Sequence, residues 1–581
     1  MKRSKEEKGI TLIALAVTII VMLILAGITI TTLIGEGGII NQAKKTRESS
    51  EIGKEKEQIK LAFQAQNIER FQYGSEITEE NFKAALENVV GVDKNEVLDA
   101  GDEFEVKFLE SERYYIVNKE DGTVELEIVE NDEYAGDITK DIEGNILDGS
   151  EEHPYEINCI EDLVAFSIMT GDGNSSLNLN RNWFEDKYIV LTRTLNFKSD
   201  TSYTDPTTTI YGDINTDGIV EDIKTELTKQ GEECGGFPGI GKSTFKGNFD
   251  GRNNYIKNLY QNDKNQKDIW LFINIQNAEI ENLSITGSIT GKWHTAGIAS
   301  GLILNSKLEN CNNYANITGY NMVGGIFTYL RYSNSTITVS NCNNYGKISI
   351  TGIAYGYGGA GGISANISDG KIENCTNNGI IENYSDNNNR DNNCGGIAGV
   401  MSNAIINGCI NNAKCKNGIV GWIASRENGK IINCYNLGEC TNGIAGSFSG
   451  ASWGSILKID MQNCYNLGKC ENSGILGEQG TICASITLNM QNCYNAGECP
   501  KSIIGKISKS NSTTTVTNIT NTYYDKNKSE SVGAISEGIT ELDEENIKNN
   551  EEFVNLLNNN IGENSELKRW IIGSNGYPTF E

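Results

Sequence analysis

One recurring phrase governs what this chain can fold into. Asn310-Cys311-Asn312-Asn313-Tyr314 returns as Asn341-Cys342-Asn343-Asn344-Tyr345. Its leading pair returns at Asn374-Cys375, Gly408-Cys409, Asn433-Cys434, Asn463-Cys464 and Asn492-Cys493, the last three within NCYNLG, NCYNLG and NCYNAG. From cysteine to cysteine the steps are 31, 33, 34, 25, 30 and 29 residues. A second phrase, glycine then isoleucine, alternates with the first at Gly297-Ile298, Gly325-Ile326, Gly362-Ile363, Gly396-Ile397, Gly418-Ile419, Gly443-Ile444 and Gly474-Ile475. A short apolar alternation precedes each cysteine, as in Lys430-Ile431-Ile432.

A period of roughly 20–50 residues signals stacked supersecondary units. These units are β-branched runs broken by Gly and Asn, without helical periodicity. Gly and Asn tolerate positive φ, which tight corners between short strands need. Each repeat therefore reads as about one coil of a right-handed parallel β-helix, with equivalent residues stacked in columns ~4.8 Å apart. Asn columns can hydrogen-bond along the stack, and Cys, Ile and Tyr columns can pack in the core or line the surface. Unequal spacings place loops at the corners, the longest around 355–360 and 384–393, as candidate binding loops.

Composition narrows the function. The 581 residues include 63 Gly and 72 Asn but only 5 Pro, which excludes collagen and Pro-rich disorder. A net charge of −28 opposes phosphate backbones, so nucleic acid is not an expected partner. The two histidines, His153 and His294, are far apart in sequence and speak against a His-rich metal site.

Residues 10–34 form an uncharged apolar run preceded by Lys2, Arg3, Lys5 and Lys8. As a helix at ~1.5 Å per residue the run spans roughly 37 Å, enough for a bilayer core of ~30 Å. The positive flank places the N-terminus in the cytoplasm and the remaining chain outside, as a single-pass membrane protein. Lys8-Gly9-Ile10-Thr11-Leu12-Ile13 before such a helix resembles the type IV prepilin signal. The resemblance implies cleavage after Gly9 by a prepilin peptidase and N-methylation of Ile10. It also implies packing with pilus or pseudopilus subunits. The family usually carries Glu at the fifth mature position, where this chain has Ala14. That departure fits a minor, tip-located or membrane-held role.

Beyond residue 40 the chain reads as a helix over 41–71 and a second over 78–90, the latter with acidic residues in its first turn. Strands are expected at 103–109, 113–118 and 123–129, with the last two joined through Asp121-Gly122. The expected organisation is a leader at 1–9, a transmembrane helix at 10–34 and a small pilin-like α+β head at 35–130. A linker at 131–153, a parallel β-helix at 154–525 and a C-terminal cap at 526–581 follow.

The repeats resemble GLUG-type modules of bacterial surface and adhesin-like proteins. Cys159-Ile160-Glu161-Asp162-Leu163, Phe237-Pro238-Gly239-Ile240-Gly241 and Phe245-Lys246-Gly247-Asn248-Phe249-Asp250-Gly251 resemble the segments that open such arrays. Trp570 and Gly576-Tyr577-Pro578 resemble their close. This resemblance implies a fold and a cell-surface setting rather than a ligand.

The 15 cysteines admit two readings. Pairs six residues apart, such as Cys434/Cys440 and Cys464/Cys470, lack zinc spacing. Stacked coils bring cysteines within disulfide range, and an oxidising exterior permits the bond. The alternative, which the odd count favours, is columns of buried thiols acting as small apolar groups.

Asp213-Ile214-Asn215-Thr216-Asp217-Gly218 matches the first half of an EF-hand-like loop. Lys224 occupies the twelfth position, and Glu221 and Asp222 are the nearby carboxylates. A structural calcium is the ion implied; the alternative is an Asx-rich turn. The repeat carboxylates, such as Asp369, Glu373 and Glu439, do not recur as a cluster, and no nucleophile elbow or P-loop is present. The expectation is a non-enzymatic surface protein presenting a β-helical adhesive rod to a glycan or another cell. Trp422, Tyr435 and Trp453 are candidate ligand-facing aromatics. A passive spacer is the alternative, and a polysaccharide-degrading β-helix a more distant one.

Overall fold

The computed structural model describes residues 39–73, 77–99, 103–111, 113–119, 121–127, 137–170, 184–197, 209–212, 221–224, 234–237, 239–263, 268–331, 337–352, 358–384, 393–424, 429–449, 456–480, 485–507 and 514–581. The leader with Gly9 and Ile10, and the apolar run 10–34, lie outside these residues. Among the described residues no helix is long and apolar enough to cross a membrane. The chain divides into two compact units, Met1–Asn131 and Asp132–Glu581.

The first unit packs two helices on a four-stranded antiparallel meander. Helix Ile39–Tyr73 presents Ile59, Ala62 and Phe63 to the core. Helix Glu79–Val90 starts on a reciprocal cap: Thr78 N donates to Asn81 Oδ1 at 2.8 Å and Asn81 N to Thr78 Oγ1 at 3.4 Å. Its Phe82 ring stacks on Phe104 at 4.8 Å between centroids. The strands are Asn95–Asp99, Glu103–Phe108, Tyr114–Asn118 and Val124–Glu127, paired in chain order. The last three occupy the expected places. The first was not expected, because Asn95-Glu96-Val97-Leu98-Asp99 has no clear period and becomes a strand by pairing with Glu103–Phe108.

The second unit is a parallel β-solenoid of right-handed type. Its strands form three long sheets of twelve, sixteen and thirteen strands among the described residues. The twelve-stranded sheet holds the runs before the cysteines, from Tyr155–Ile157 to Thr514–Thr520. The sixteen-stranded sheet begins just after each cysteine, and the thirteen-stranded sheet follows each Gly-Ile pair. Register is exact where the alternation is longest. Ile456–Gln462 pairs residue for residue with Ser485–Gln491. Leu457, Ile459 and Met461 thereby stack on Ile486, Leu488 and Met490, all buried. Each such side chain contributes roughly 1.5–3 kcal/mol.

The corners explain the asparagine before each cysteine. Asn310, Asn341, Asn374, Asn433, Asn463 and Asn492 all have φ between 51° and 57°, the left-handed region. Gly408, which replaces Asn in one repeat, has φ 66°. The motif varies only between the residue types that tolerate this conformation.

Three boundaries differ from expectation. Within the expected linker 131–153, residues 137–153 belong to the solenoid unit. Ile138 and Leu147 enter its core, and the Gly149 carbonyl accepts from Tyr188 N at 2.9 Å. Acidic, glycine-containing composition matched a linker, but two apolar side chains were enough to anchor the segment. Helix Ile160–Met169 stands inside the span 154–525 expected as parallel β-helix. The Asp162 carboxylate accepts from Asn158 N at 2.8 Å and Cys159 N at 3.2 Å, and Phe166 packs against Phe184, Phe249 and Phe272. Finally, Ile539–Leu542 still pairs in parallel with Thr522–Asp525, so the solenoid continues past residue 525. The cap comprises a 3-10 turn at Glu544–Asn546, helix Glu551–Ile561 and the hairpin Trp570–Ile572/Pro578–Phe580.

Candidate binding face

Inside each coil, the asparagine two residues after the cysteine builds a continuous amide ladder. Asn313, Asn344, Asn377, Asn411, Asn436, Asn466 and Asn495 are fully buried and stacked in register. Each Nδ2 donates to the next Oδ1, at 2.7 Å from Asn313 to Asn344 and at 2.8 Å from Asn344 to Asn377. The same amide donates to the carbonyl two residues on, as Asn377 Nδ2 does to Gly379 O at 3.0 Å. Burial without partners would be costly, so the ladder must be complete to be stable. The recurring Cys-x-Asn spacing carried this information. It identified stackable asparagines but not which of them turn inward.

Two columns of cysteine run beside the ladder. Cys311, Cys342, Cys375, Cys409, Cys434, Cys464 and Cys493 are fully buried free thiols. Each donates to backbone carbonyls, as Cys464 Sγ does to Gln462 O at 3.2 Å and Ile431 O at 3.4 Å. Burial pushes the Cys375, Cys409 and Cys464 thiols well up, so they stay protonated.

On the outside, tyrosines stack on the sixteen-stranded sheet. Tyr314 and Tyr345 are exposed, with ring centroids 4.5 Å apart and planes 3° apart. Tyr255 adjoins Tyr314 at 6.0 Å. Further along, Tyr435, Tyr465 and Tyr494 stack at 4.6 and 5.1 Å. This second stack lies under the cap: Trp570 and Phe580 pack on Tyr465 at 5.6 Å, and Tyr494 Oη donates to Pro578 O at 2.5 Å. Trp570 Nε1 donates to Asn463 Oδ1 at 2.7 Å, and Asn433 takes Lys568 N at 2.9 Å while donating to Glu566 O at 2.8 Å. The same face is thus covered near Tyr465 and open near Tyr345.

The exposed aromatic residues of this unit gather on that face. Tyr314, Tyr320, Tyr345 and Tyr384 border its strands with Ile380 and Leu437, whereas Ile142, Ile146, Ile456 and Val516 are exposed elsewhere among the described residues ahead of the cap. Lys347 reaches Glu382 at 2.7 Å, and its ammonium lies 5.8 Å from the Tyr384 ring centre. Burial beside Tyr255 and Tyr345 pushes the Tyr314 phenol up, keeping it a neutral donor.

The aromatics singled out from sequence do not converge. Tyr435 is half-buried in the covered stack. Trp422 is half-buried on the thirteen-stranded sheet, its Nε1 donating to Ser449 Oγ at 3.0 Å. Trp453 lies outside the described residues, as do Asp213, Asn215 and Asp217 and most of the two long loops. The flanks of that acidic loop, Thr209–Gly212 and Glu221–Lys224, are antiparallel strands rather than helices, with Glu221 opposite Gly212 and Lys224 opposite Thr209. A different acidic group, Glu279, Glu281 and Glu309, has carboxylates within 4.8 Å of one another. Lys307 pairs with Glu279 and, at 2.5 Å, with Glu309, so a lysine already offsets part of this charge.

Fold and face together define a parallel β-solenoid with one aromatic-bearing side. No protein-family model matches the chain, and no curated protein matches it. A solved structure that it resembles is a Bacteroides ovatus protein assigned provisionally as an immunoglobulin A1 protease. Identity is 16%, 75% of this chain and 95% of that chain are covered, and the TM-score is 0.26. At that score the likeness carries no argument.

Proposed function

We propose that the chain is a non-enzymatic binding protein of the cell surface, held by its N-terminal apolar segment and presenting the solenoid as an adhesive rod. The supporting observation is that the exposed Tyr314, Tyr320, Tyr345 and Tyr384 all border strands of one sheet. A solenoid serving solely as a spacer has no need to expose aromatics on one side, where they invite association. Because Tyr314 and Tyr345 use their ring faces on each other, they offer edges and hydroxyls outward. With Lys347 and neighbouring Asn316, that row suits the hydroxyls of a repeating glycan.

The test is a glycan array probed with the full-length protein and with Tyr345→Ala. Selective binding lost in the variant supports adhesion. Uniform blanks leave the spacer. Processing by a prepilin peptidase belongs to the same proposal and is read separately, by mass spectrometry of the native N-terminus. A methylated Ile10 supports it, and an intact Met1 removes it.

A further inference from the structure

The two cysteine columns differ in what their sulfurs face. In the first, the sulfurs also neighbour one another along the stack, but every thiol donates to carbonyl oxygens of its own coil and of the preceding one. In the second, Cys440 and Cys470 point at each other, Sγ to Sγ at 3.5 Å. They stand directly opposite in parallel strands Cys440–Asn442 and Cys470–Ser473. In-register partners on adjacent strands lie ~4.8 Å apart at Cα, inside the separation that a disulfide accepts. The register slips immediately afterwards, Asn442 pairing with Ser473, so the backbone there is not held to the regular ladder. Ladder amides donate to both sulfurs, Asn436 Nδ2 to Cys440 at 3.3 Å and Asn466 Nδ2 to Cys470 at 3.4 Å. The Cys440 sulfur and burial nonetheless push the Cys470 thiol well up, so its reactive thiolate forms when the coil opens. The column neighbours are engaged otherwise: Cys415 Sγ donates to Asn417 O at 2.9 Å and Cys499 Sγ meets Ser529 Oγ at 3.4 Å.

We propose that Cys440 and Cys470 are a disulfide-forming pair that joins successive coils when the chain meets an oxidising compartment. The proposal rests on the surface reading for its oxidant, a small-molecule disulfide such as oxidised glutathione. The Cys440 thiolate attacks that disulfide and releases one glutathione thiolate. The Cys470 thiolate then attacks the mixed disulfide at the Cys440 sulfur and releases the second. Two protein thiols lose two electrons and two protons, and one glutathione disulfide becomes two thiols. Because both sulfurs are buried, attack requires transient opening of this coil.

The full-length chain, purified reduced, is incubated with oxidised glutathione at a guanidinium concentration below its unfolding midpoint, alkylated, and digested without reduction. The expected product is a peptide joining Cys440 to Cys470, two hydrogens lighter than its parts, with the oxidised protein melting several degrees higher. Cys470→Ser abolishes the cross-link and Cys464→Ser leaves it. Fully alkylated cysteines, cross-links spread over the Cys311 column, or a lowered melting temperature overturns the proposal. A Cys440–Cys470 link formed in the tube, beside reduced thiols in protein alkylated at its source, keeps the pair and overturns the surface reading instead.

Discussion

A β-carbon placed on Gly362 would lie 2.3 Å from Asn377 Oδ1. The same relationship joins Gly396 to Asn411, Gly418 to Asn436, Gly443 to Asn466 and Gly474 to Asn495, all at 2.3–2.7 Å from the amide. The two recurring phrases of the chain are therefore one device. The glycine of Gly-Ile leaves room for the amide that the asparagine of Cys-x-Asn turns inward.

Interrupting the ladder is costly. Asn377→Leu removes the bond from Asn344 and the bond to Asn411, and strands buried polar atoms on both sides. Each stranded group costs about 1–3 kcal/mol. Guanidinium unfolding is expected to show a loss of about 2–5 kcal/mol, whereas Asn412→Ala, on the exposed corner, changes stability by less than about 1 kcal/mol.

Filling the glycine is costly for a different reason. Gly362→Ala meets both Asn377 Oδ1 and the Gly396 carbonyl at 2.3 Å, and backbone cannot rotate away. A loss of about 1–3 kcal/mol is expected from thermal unfolding. Gly53→Ala, in a helix with open space around it, raises the stability of its own unit by about 0.5–1 kcal/mol.

Corner asparagines answer to backbone shape. Asn341 has φ 55°, so Asn341→Gly is expected to be nearly neutral, while Asn341→Val loses about 1–2 kcal/mol. Unfolding midpoints of the two variants make the comparison.

The cap is anchored by Trp570, which packs on Tyr465, Tyr494 and Phe580. Trp570→Ala is expected to cost about 3–5 kcal/mol in cap docking. Limited proteolysis then cuts between residues 543 and 581 before it attacks the coils.

Asp525 is fully buried, and its Oδ2 has no hydrogen-bond partner. Burial pushes its carboxyl up, Glu544 and Asp543 reinforce the rise, and Lys528 opposes it. Because the folded value exceeds the unfolded one, folding prefers the protonated form. Stability from this group is present below the unfolded value of about 4 and is lost as pH rises through the folded value. Asp525→Asn is expected to remove that decline, seen as a flatter dependence of the unfolding midpoint between pH 3.5 and 8.

Much of the fold was legible because a period is local information. The cysteine spacing, the Gly-Ile alternation and the apolar runs specify coils and their inward residues without reference to distant contacts. The first strand of the small unit, the helix Ile160–Met169 and the docked segment 137–153 were not legible. Each is held by a partner remote in sequence. The candidate face was legible in part: tyrosines recur in the motif, yet Tyr345 is exposed and Tyr465 is buried. Nothing near either residue distinguishes them.

What the amino-acid order alone determined is the stacked β-solenoid, since identical side chains at a fixed interval are satisfied most simply by lying over one another. What tertiary structure decided is which half of the tyrosine face stays open and which thiols confront each other. Those outcomes depend on where the last forty residues dock and on a local slip in strand register, and both arise only from packing between segments that the repeat does not connect.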